Sequence, residues 1–133
     1  MDKQKFQSLV SMAKALQRLD SDRSEFWVGF QRGLRRLYHG ENFDTDQMHE
    51  KWMNCAQGEY RKWQQVGYRV GYHYDDLLVG GPEDIQPLRK LLTLSVDDLA
   101  EIAAVSPRTV EGWEQGRPIF GPVLQLLRKF LMI

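Results

Sequence analysis

Residues 96–113 read VDDLAEIAAVSPRTVEGW, and this stretch decides the fold of the C-terminal part of the chain. Apolar and small residues recur at three- and four-residue spacing on both sides of a short break at residues 104–105. That spacing is typical of two short amphipathic helices, which the break would join through a tight turn. We therefore expect a helix-turn-helix. The residues predicted to face its core are Leu99, Ala100, Ala103, Val110 and Trp113.

Polar and conformationally special residues mark where these two helices should begin and end. Ser95 with Asp98 three residues later matches a capping box at the start of the first helix. Ser106 can cap the second helix, and Pro107 suits its first position. Gly116 should end it.

A helix on each side should complete a four-helix domain. Residues 83–92 predict the first of these helices, with Ile85, Leu88, Leu91 and Leu92 turned to the core. Residues 121–133 predict the last. Its core residues would be Val123, Leu124, Leu126, Leu127, Phe130 and Leu131.

Residues 105–128, VSPRTVEGWEQGRPIFGPVLQLLR, carry a named resemblance. The string V-S-x-R-T-apolar-x-x-W-E-x-G-R, followed by G-P-apolar and then L-L-R, resembles the helix-turn-helix domain of the phage-repressor-like (Cro/C1, XRE) superfamily, in particular its HigA and MqsA antitoxin branch. The resemblance covers residues 83–133. The chain departs from the family at Val96, where a phosphate-contacting glutamine is common, and at Ala104, where the turn usually has glycine.

This resemblance implies a sequence-specific transcriptional regulator that binds double-stranded DNA, as an autorepressor or antitoxin-like protein. A homodimer on a palindromic operator would follow, with a toxin as a further protein partner. The alternative is a helical protein-interaction module in which the helix-turn-helix docks a partner rather than DNA.

Helix geometry predicts which side chains would reach DNA, because Val110 and Trp113 point inward. Arg108 is the candidate for a guanine edge, Gln115 or Thr109 for adenine, methyl or phosphate contacts, and Glu111 for cytosine. Arg108 as a merely solvated side chain is the alternative. Arg117 after the helix and Ser106 at its start are candidates for phosphate contacts, and Arg89 and Lys90 are additional ones. The predicted DNA-binding residues are Ser106, Pro107, Arg108, Thr109, Glu111, Gly112, Gln115 and Arg117.

Charge limits how such a domain could grip DNA. The chain of 133 residues has 18 basic and 18 acidic residues, so it lacks an overall positive field. From Pro82 onward it has six basic and seven acidic residues. Because phosphate contacts by Lys and Arg supply most sequence-independent affinity, we expect DNA binding to depend on pairing of two chains.

The first 80 residues predict a separate helical domain that dimerises or binds a partner. Apolar spacing indicates helices at residues 3–19, 24–39, 46–56 and 59–72, with Ser24 and Thr45 as N-caps and Gly40 as a stop. Residues 75–84 read as a linker because Gly80, Gly81 and Pro82 interrupt regular structure. We place the domains at 1–80 and 81–133.

Two segments of this domain repeat the pattern V-G-aromatic-x-x-G-apolar, at residues 28–34 and 66–72. Glycine costs about 1 kcal/mol in a helix interior relative to alanine, so paired glycines predict a close backbone approach. The simplest partner of each helix is the other, with Trp27, Phe30, Tyr68 and Tyr72 on the flanks. Chance similarity between two aromatic helices is the alternative.

The remaining residues argue against an enzyme and a metal site. His39, His49 and His73 are dispersed, and Cys55 is a single cysteine, which fits a reducing compartment. A group at Glu41, Asp44, Asp46 and His49 reads better as a loop and helix start than as a catalytic site. We therefore expect no enzyme activity, metal or cofactor.

Two further features concern location and a second surface. The polar start MDKQKFQS lacks the apolar core of a signal peptide, and no apolar stretch approaches the roughly 20 residues of a membrane span, so we expect a cytoplasmic protein. Arg32, Arg35 and Arg36 with Tyr38 and His39 form a basic, aromatic run. This run predicts either a second nucleic-acid surface or a solvated helix face.

Overall fold

The computed structural model describes residues 1–54, 62–76 and 80–124. In these ranges the chain forms helices and no strand, which confirms the predicted all-α fold. It divides into two compact units, Met1–Asp75 (unit 1) and Asp76–Ile133 (unit 2). The division lies a few residues before the predicted boundary at residue 80.

The α-helices described in unit 1 agree closely with the apolar spacing of the sequence. Residues 55–56 of the predicted third helix and 59–61 of the predicted fourth lie outside the described residues. Ser24 differs from its prediction, because a 3-10 turn precedes it and makes Ser24 the first residue of the helix rather than its cap. Thr45 caps as predicted, since its Oγ1 accepts a hydrogen bond from the Met48 N–H at 3.1 Å. The helices are α1 (Lys3–Leu19), α2 (Ser24–His39), α3 (Asp46–Asn54) and α4 (Lys62–Tyr72).

Helix α1 lies antiparallel to α2. The Gln31 side chain of α2 donates to the Gln17 side chain near the end of α1 at 2.8 Å. At the other end, the rings of Phe6 and Tyr38 stack with centroids 4.3 Å apart. The later residue of α1 thus meets the earlier residue of α2, which fixes the antiparallel order of the two helices. Their packing buries the apolar face of α1.

Helices α2 and α4 pack through their glycines, and they run parallel. A Cβ on Gly29 would lie 1.9 Å from the backbone oxygen of Gln64, and one on Gly33 would lie 2.1 Å from that of Tyr68. Both contacts advance by one turn in the same direction, so the helices are parallel. At such a separation between the two backbones, only glycine fits, because any other residue would place a Cβ on the facing carbonyl oxygen.

The reverse contacts are equivalent, so the pair is pseudo-symmetric. A Cβ on Gly67 would lie 2.0 Å from the Phe26 oxygen, and one on Gly71 would lie 2.3 Å from the Phe30 oxygen. The predicted crossing of the two repeated segments at their glycine faces is therefore confirmed. Trp27, Phe30 and Tyr68 are buried on its flanks as predicted, and Tyr72 is half-buried.

Unit 2 has three described α-helices around an apolar core. They are α5 (Ile85–Leu91), α6 (Val96–Ala103) and α7 (Pro107–Glu114), preceded by a 3-10 turn at Pro82–Asp84. Residues 121–124 are helical, and the rest of the predicted last helix lies outside the described residues. Leu91, predicted to be in the core, is instead 36% exposed at the end of α5. The buried apolar residues are Ile85, Leu88, Leu92, Leu94, Leu99, Ala100, Ile102, Ala103, Val110 and Trp113.

Helices α5, α6 and α7 end in the same way. Thr93, Ala104 and Gly116 each have a positive φ, of 54°, 56° and 95°. After each, the next N–H bonds back to a carbonyl of the helix, as from Val105 to Ala100 at 3.0 Å and from Arg117 to Gly112 at 3.0 Å. This is the Schellman arrangement, which satisfies end carbonyls and turns the chain sharply.

We predict that Gly67→Ala destabilises unit 1 by about 3 kcal/mol or more, because its methyl group would overlap the Phe26 carbonyl and force the two backbones apart. Chemical unfolding followed by circular dichroism measures this loss. Gly121→Ala is the control, since no atom of another element in the described part of the chain lies within 4 Å of its added Cβ. Equal stability of the two variants would contradict the glycine crossing.

We predict that Ala104→Gly stabilises unit 2 by about 1 kcal/mol, because an L-residue in the left-handed region is strained and glycine is not. Thermal unfolding measures the gain. Glu101→Gly, at an exposed position inside α6, should instead cost about 1 kcal/mol. A loss of stability in both variants would show that the turn at residue 104 is not strained.

Candidate nucleic-acid interface

Helix α6 is held in place by its cap and by small buried residues. The Ser95 hydroxyl accepts from the Asp98 N–H at 3.0 Å, and the Asp98 carboxylate accepts from the Ser95 N–H at 3.2 Å, which is the predicted capping box. Ala100 and Ala103 are buried toward α7 and the core. Ala104 then turns the chain in the left-handed conformation that the sequence predicted at this position.

Helix α7 begins and is anchored as the sequence predicted. The Ser106 hydroxyl accepts a hydrogen bond from the Thr109 N–H at 3.3 Å, and Pro107 occupies the first turn. Val110 and Trp113 are buried, with 0% and 3% of their surfaces exposed. The inner face of α7 is thereby fixed, and its first turn is left at the surface.

All of the residues predicted to contact DNA, except Gly112, are exposed on or beside α7. The Ser106 and Thr109 hydroxyls lie 3.0 Å apart, so part of their hydrogen-bonding capacity is used between them. Gln115 is the C-cap of the helix. The exposed predicted residues are Ser106, Pro107, Arg108, Thr109, Glu111, Gln115 and Arg117.

Gly112 is different, because it is buried rather than on the outer face as predicted. The side chain of Arg117 lies across it, with Cδ 2.9 Å from the place that a Cβ would take. Helical spacing correctly indicates a residue near the outer face. It does not show that a later residue folds back over that position.

Arg89 and Glu114 form an ion pair that ties α5 to the end of α7. The Arg89 Nε donates to the Glu114 carboxylate at 2.7 Å, and its Nη1 donates to the Leu94 carbonyl at 3.2 Å. Both side chains are mostly buried. Arg89, an additional candidate for a phosphate contact, is thus part of the framework, and the charge of Glu114 is compensated.

Two of the three arginines in the basic run of α2 likewise have structural partners, and the buried Arg36 cannot belong to the predicted second nucleic-acid surface. Arg36 is buried, and it donates to the Asp46 carboxylate at 2.6 Å and to the Phe43 carbonyl at 3.1 Å. The hydrogen bond that Arg36 donates to Asp46 raises the pKa of Arg36 above its ordinary value. Arg32 pairs with Asp44 at 2.6 Å. These pairs fix the start of α3 against α2.

His49 also has a structural partner. Its Nδ1 lies 2.7 Å from the Tyr68 hydroxyl, which comes from the glycine-bearing part of α4. Burial lowers the pKa of His49, and the nearby Arg36 guanidinium lowers it further. Burial raises the pKa of Tyr68 to about 12. Asp44, Asp46 and His49 therefore form separate contacts around α3.

Arg69 is a residue whose role the sequence did not predict. It is 2% exposed, and its Nε donates to the Trp52 carbonyl at 3.1 Å. Arg69 and Gln31 occupy equivalent places between the two glycines of the repeated pattern, and both are buried. That equivalence, two polar residues inside a close helix crossing, is the signal that could have indicated a buried role.

In the described ranges, no group of three His, Cys, Asp or Glu side chains is placed to hold a metal ion. Over the same ranges, no helix has both the length and the apolarity to cross a membrane. Comparison with protein-family models, curated proteins and solved structures gave no match. Cys55 lies outside the described residues.

We predict that His49→Gln reduces the pH dependence of unit 1 stability. Since folding lowers the pKa of His49, the unfolded chain takes up its proton first as pH falls through about 6.5, and the free energy of unfolding then decreases. Urea unfolding between pH 5 and 8 measures this decrease, which the variant should lack. His39→Gln, at an exposed position, should still show the decrease. The prediction would be contradicted if both variants lacked the decrease or if both showed it.

Proposed function

We propose that this protein is a sequence-specific, double-stranded DNA-binding transcriptional regulator whose contact element is α7. The observation that carries the proposal is that the first turn of α7 is exposed while the inner face of the same helix is anchored in the core. Ser106 caps this turn, Arg108 and Thr109 are exposed on it, and Val110 anchors it to the core. A capped, exposed helix start after a tight turn is the form in which helix-turn-helix proteins enter the major groove.

Side-chain chemistry supports base recognition at this turn. Arg108 is exposed, and its planar guanidinium can donate two parallel hydrogen bonds to the O6 and N7 atoms of guanine. Thr109 and Gln115 offer smaller polar contacts, and Glu111 can accept from cytosine N4. In the described part of the chain, Glu114 forms a salt bridge with Arg89, and Glu111 is the acidic residue of α7 that forms none.

The charge balance supports a paired form on DNA. Unit 2 has few basic residues to contact phosphate, so one copy gives weak electrostatic affinity, and two copies on a palindrome double it. We therefore propose a cytoplasmic homodimer that acts as an autorepressor or antitoxin-like regulator, with a toxin as a further protein partner. The resemblance of residues 105–128 to the phage-repressor-like superfamily is consistent with this role. Unit 1 would supply the dimer or partner contact.

We predict that Arg108→Ala weakens binding to the preferred duplex about tenfold to hundredfold and relaxes selectivity at one base pair, because a bidentate arginine–guanine contact is worth about 1 to 3 kcal/mol. The measurement is fluorescence anisotropy with a duplex that the wild-type protein selects from random sequence and with an unrelated duplex of equal length. Arg18→Ala removes the same side chain from an exposed position on α1 and should bind as wild type.

The alternative, a protein-interaction module, gives a different result. Such a module would bind no double-stranded DNA at low salt, where nonspecific phosphate contacts are strongest. That outcome would overturn the proposed function. Selection of DNA with the full chain and with residues 81–133 would further show whether unit 1 contributes to binding.

A further inference from the structure

The side chain of Arg117 occupies the place on α7 that residue 112 would otherwise fill. A Cβ added to Gly112 would lie 2.9 Å from Cδ, 3.4 Å from Nη1 and 3.6 Å from Nε of Arg117. The stem and the guanidinium therefore both lie flat against the glycine. Gly112 is buried beneath this side chain, and Arg117 itself is exposed.

The end of α7 brings Arg117 to this position. Gly116 has a φ of 95°, and the Arg117 N–H donates to the Gly112 carbonyl at 3.0 Å. This hydrogen bond places the backbone of Arg117 beside the last turn of the helix. Its side chain runs back over α7 because position 112 has no side chain to block it.

Arg117 thereby adds a second guanidinium to the face that carries Arg108. Residues 108 and 112 are four apart, so they are neighbours on one face of the helix. A guanidinium lying on Gly112 thus follows Arg108 one turn further along. Neither arginine forms a salt bridge with a carboxylate in the described part of the chain, so both charges remain available to a ligand.

We propose that Gly112 is a positioning residue that holds the Arg117 guanidinium beside Arg108 for a contact to a DNA phosphate. The proposal rests on the proposed function. In a helix-turn-helix the first turn of the recognition helix reaches the base edges, so a cation one turn later lies nearer the phosphates that border the groove. Arg108 then reads sequence, and Arg117 adds affinity for any sequence.

The test compares Gly112→Ala, Arg117→Ala, the double variant and Arg108→Ala with the wild type. Binding to the selected duplex and to an unrelated duplex is measured by anisotropy between about 50 and 200 mM salt. Gly112→Ala should fold, because the crowded atoms belong to a flexible side chain and alanine favours a helix; circular dichroism checks this.

We expect Gly112→Ala and Arg117→Ala each to weaken binding to both duplexes about tenfold and to lower the salt slope by about one for each copy of α7 bound. The ratio between the two duplexes should not change. In the double variant, Gly112→Ala should add nothing to Arg117→Ala, because a positioning residue has no effect once its target is gone.

Three results would overturn the proposal, and they differ from failure of the proposed function. A wild-type salt slope in Gly112→Ala, an additive double variant, or a changed selectivity ratio would each show that Gly112 does not act through a phosphate-contacting Arg117. If Arg108→Ala still loses binding in that experiment, the proposed function stands. If the wild type binds neither duplex, the proposed function fails.

Discussion

Direct contact between the backbones of α2 and α4 is the constraint on which unit 1 depends. Gly29 and Gly33 face carbonyl oxygens of α4, and Gly67 and Gly71 face those of α2. At this separation, Cα–H groups approach carbonyl oxygens, a weak interaction that recurs at close helix crossings. The glycines cost helix stability individually, and the buried aromatic rings beside the crossing offset that cost.

Helix α3 depends on this crossing, because hydrogen bonds and ring contacts join it to both helices of the pair. Trp52 is the buried residue of α3. Arg36 from α2 and Arg69 from α4 hold its two ends, and Tyr68 contacts His49 between them. Buried charges of this kind are costly unless their partners are placed well. The glycine crossing sets the positions of Arg36 and Arg69, so it also orients α3.

The sequence predicts elements whose cause is local, and it predicts few of the contacts between residues that are far apart in the chain. The bounds of α1, the capping box at Ser95 and the left-handed turn at Ala104 follow from neighbouring residues, and the structure has all three. The glycine crossing was predicted because its pattern occurs twice. The burial of Arg36 depends on Asp46 and Phe43, which lie in another element.

At the candidate interface, too, the features that depend on one short helix are predicted, and those that depend on another element are not. Helical spacing predicts the inner face of α7 and the exposure of Arg108, because both depend on one short helix. The covering of Gly112 by Arg117 depends on the turn at Gly116, and the compensation of Glu114 depends on α5. Thr93 adopts a positive φ without being glycine, so its residue type gives no signal.

The parallel order of α2 and α4 has a consequence for the rate at which unit 1 forms. Two parallel helices cannot be joined by a short turn, so residues 29 and 64 meet only after the intervening chain has closed a loop. Most helical domains fold rapidly because their contacts are local. In unit 2 successive helices are joined by short turns, and α6 contacts α7 directly. We therefore expect loop closure to slow the folding of unit 1, and we expect unit 2 to gain its native contacts sooner.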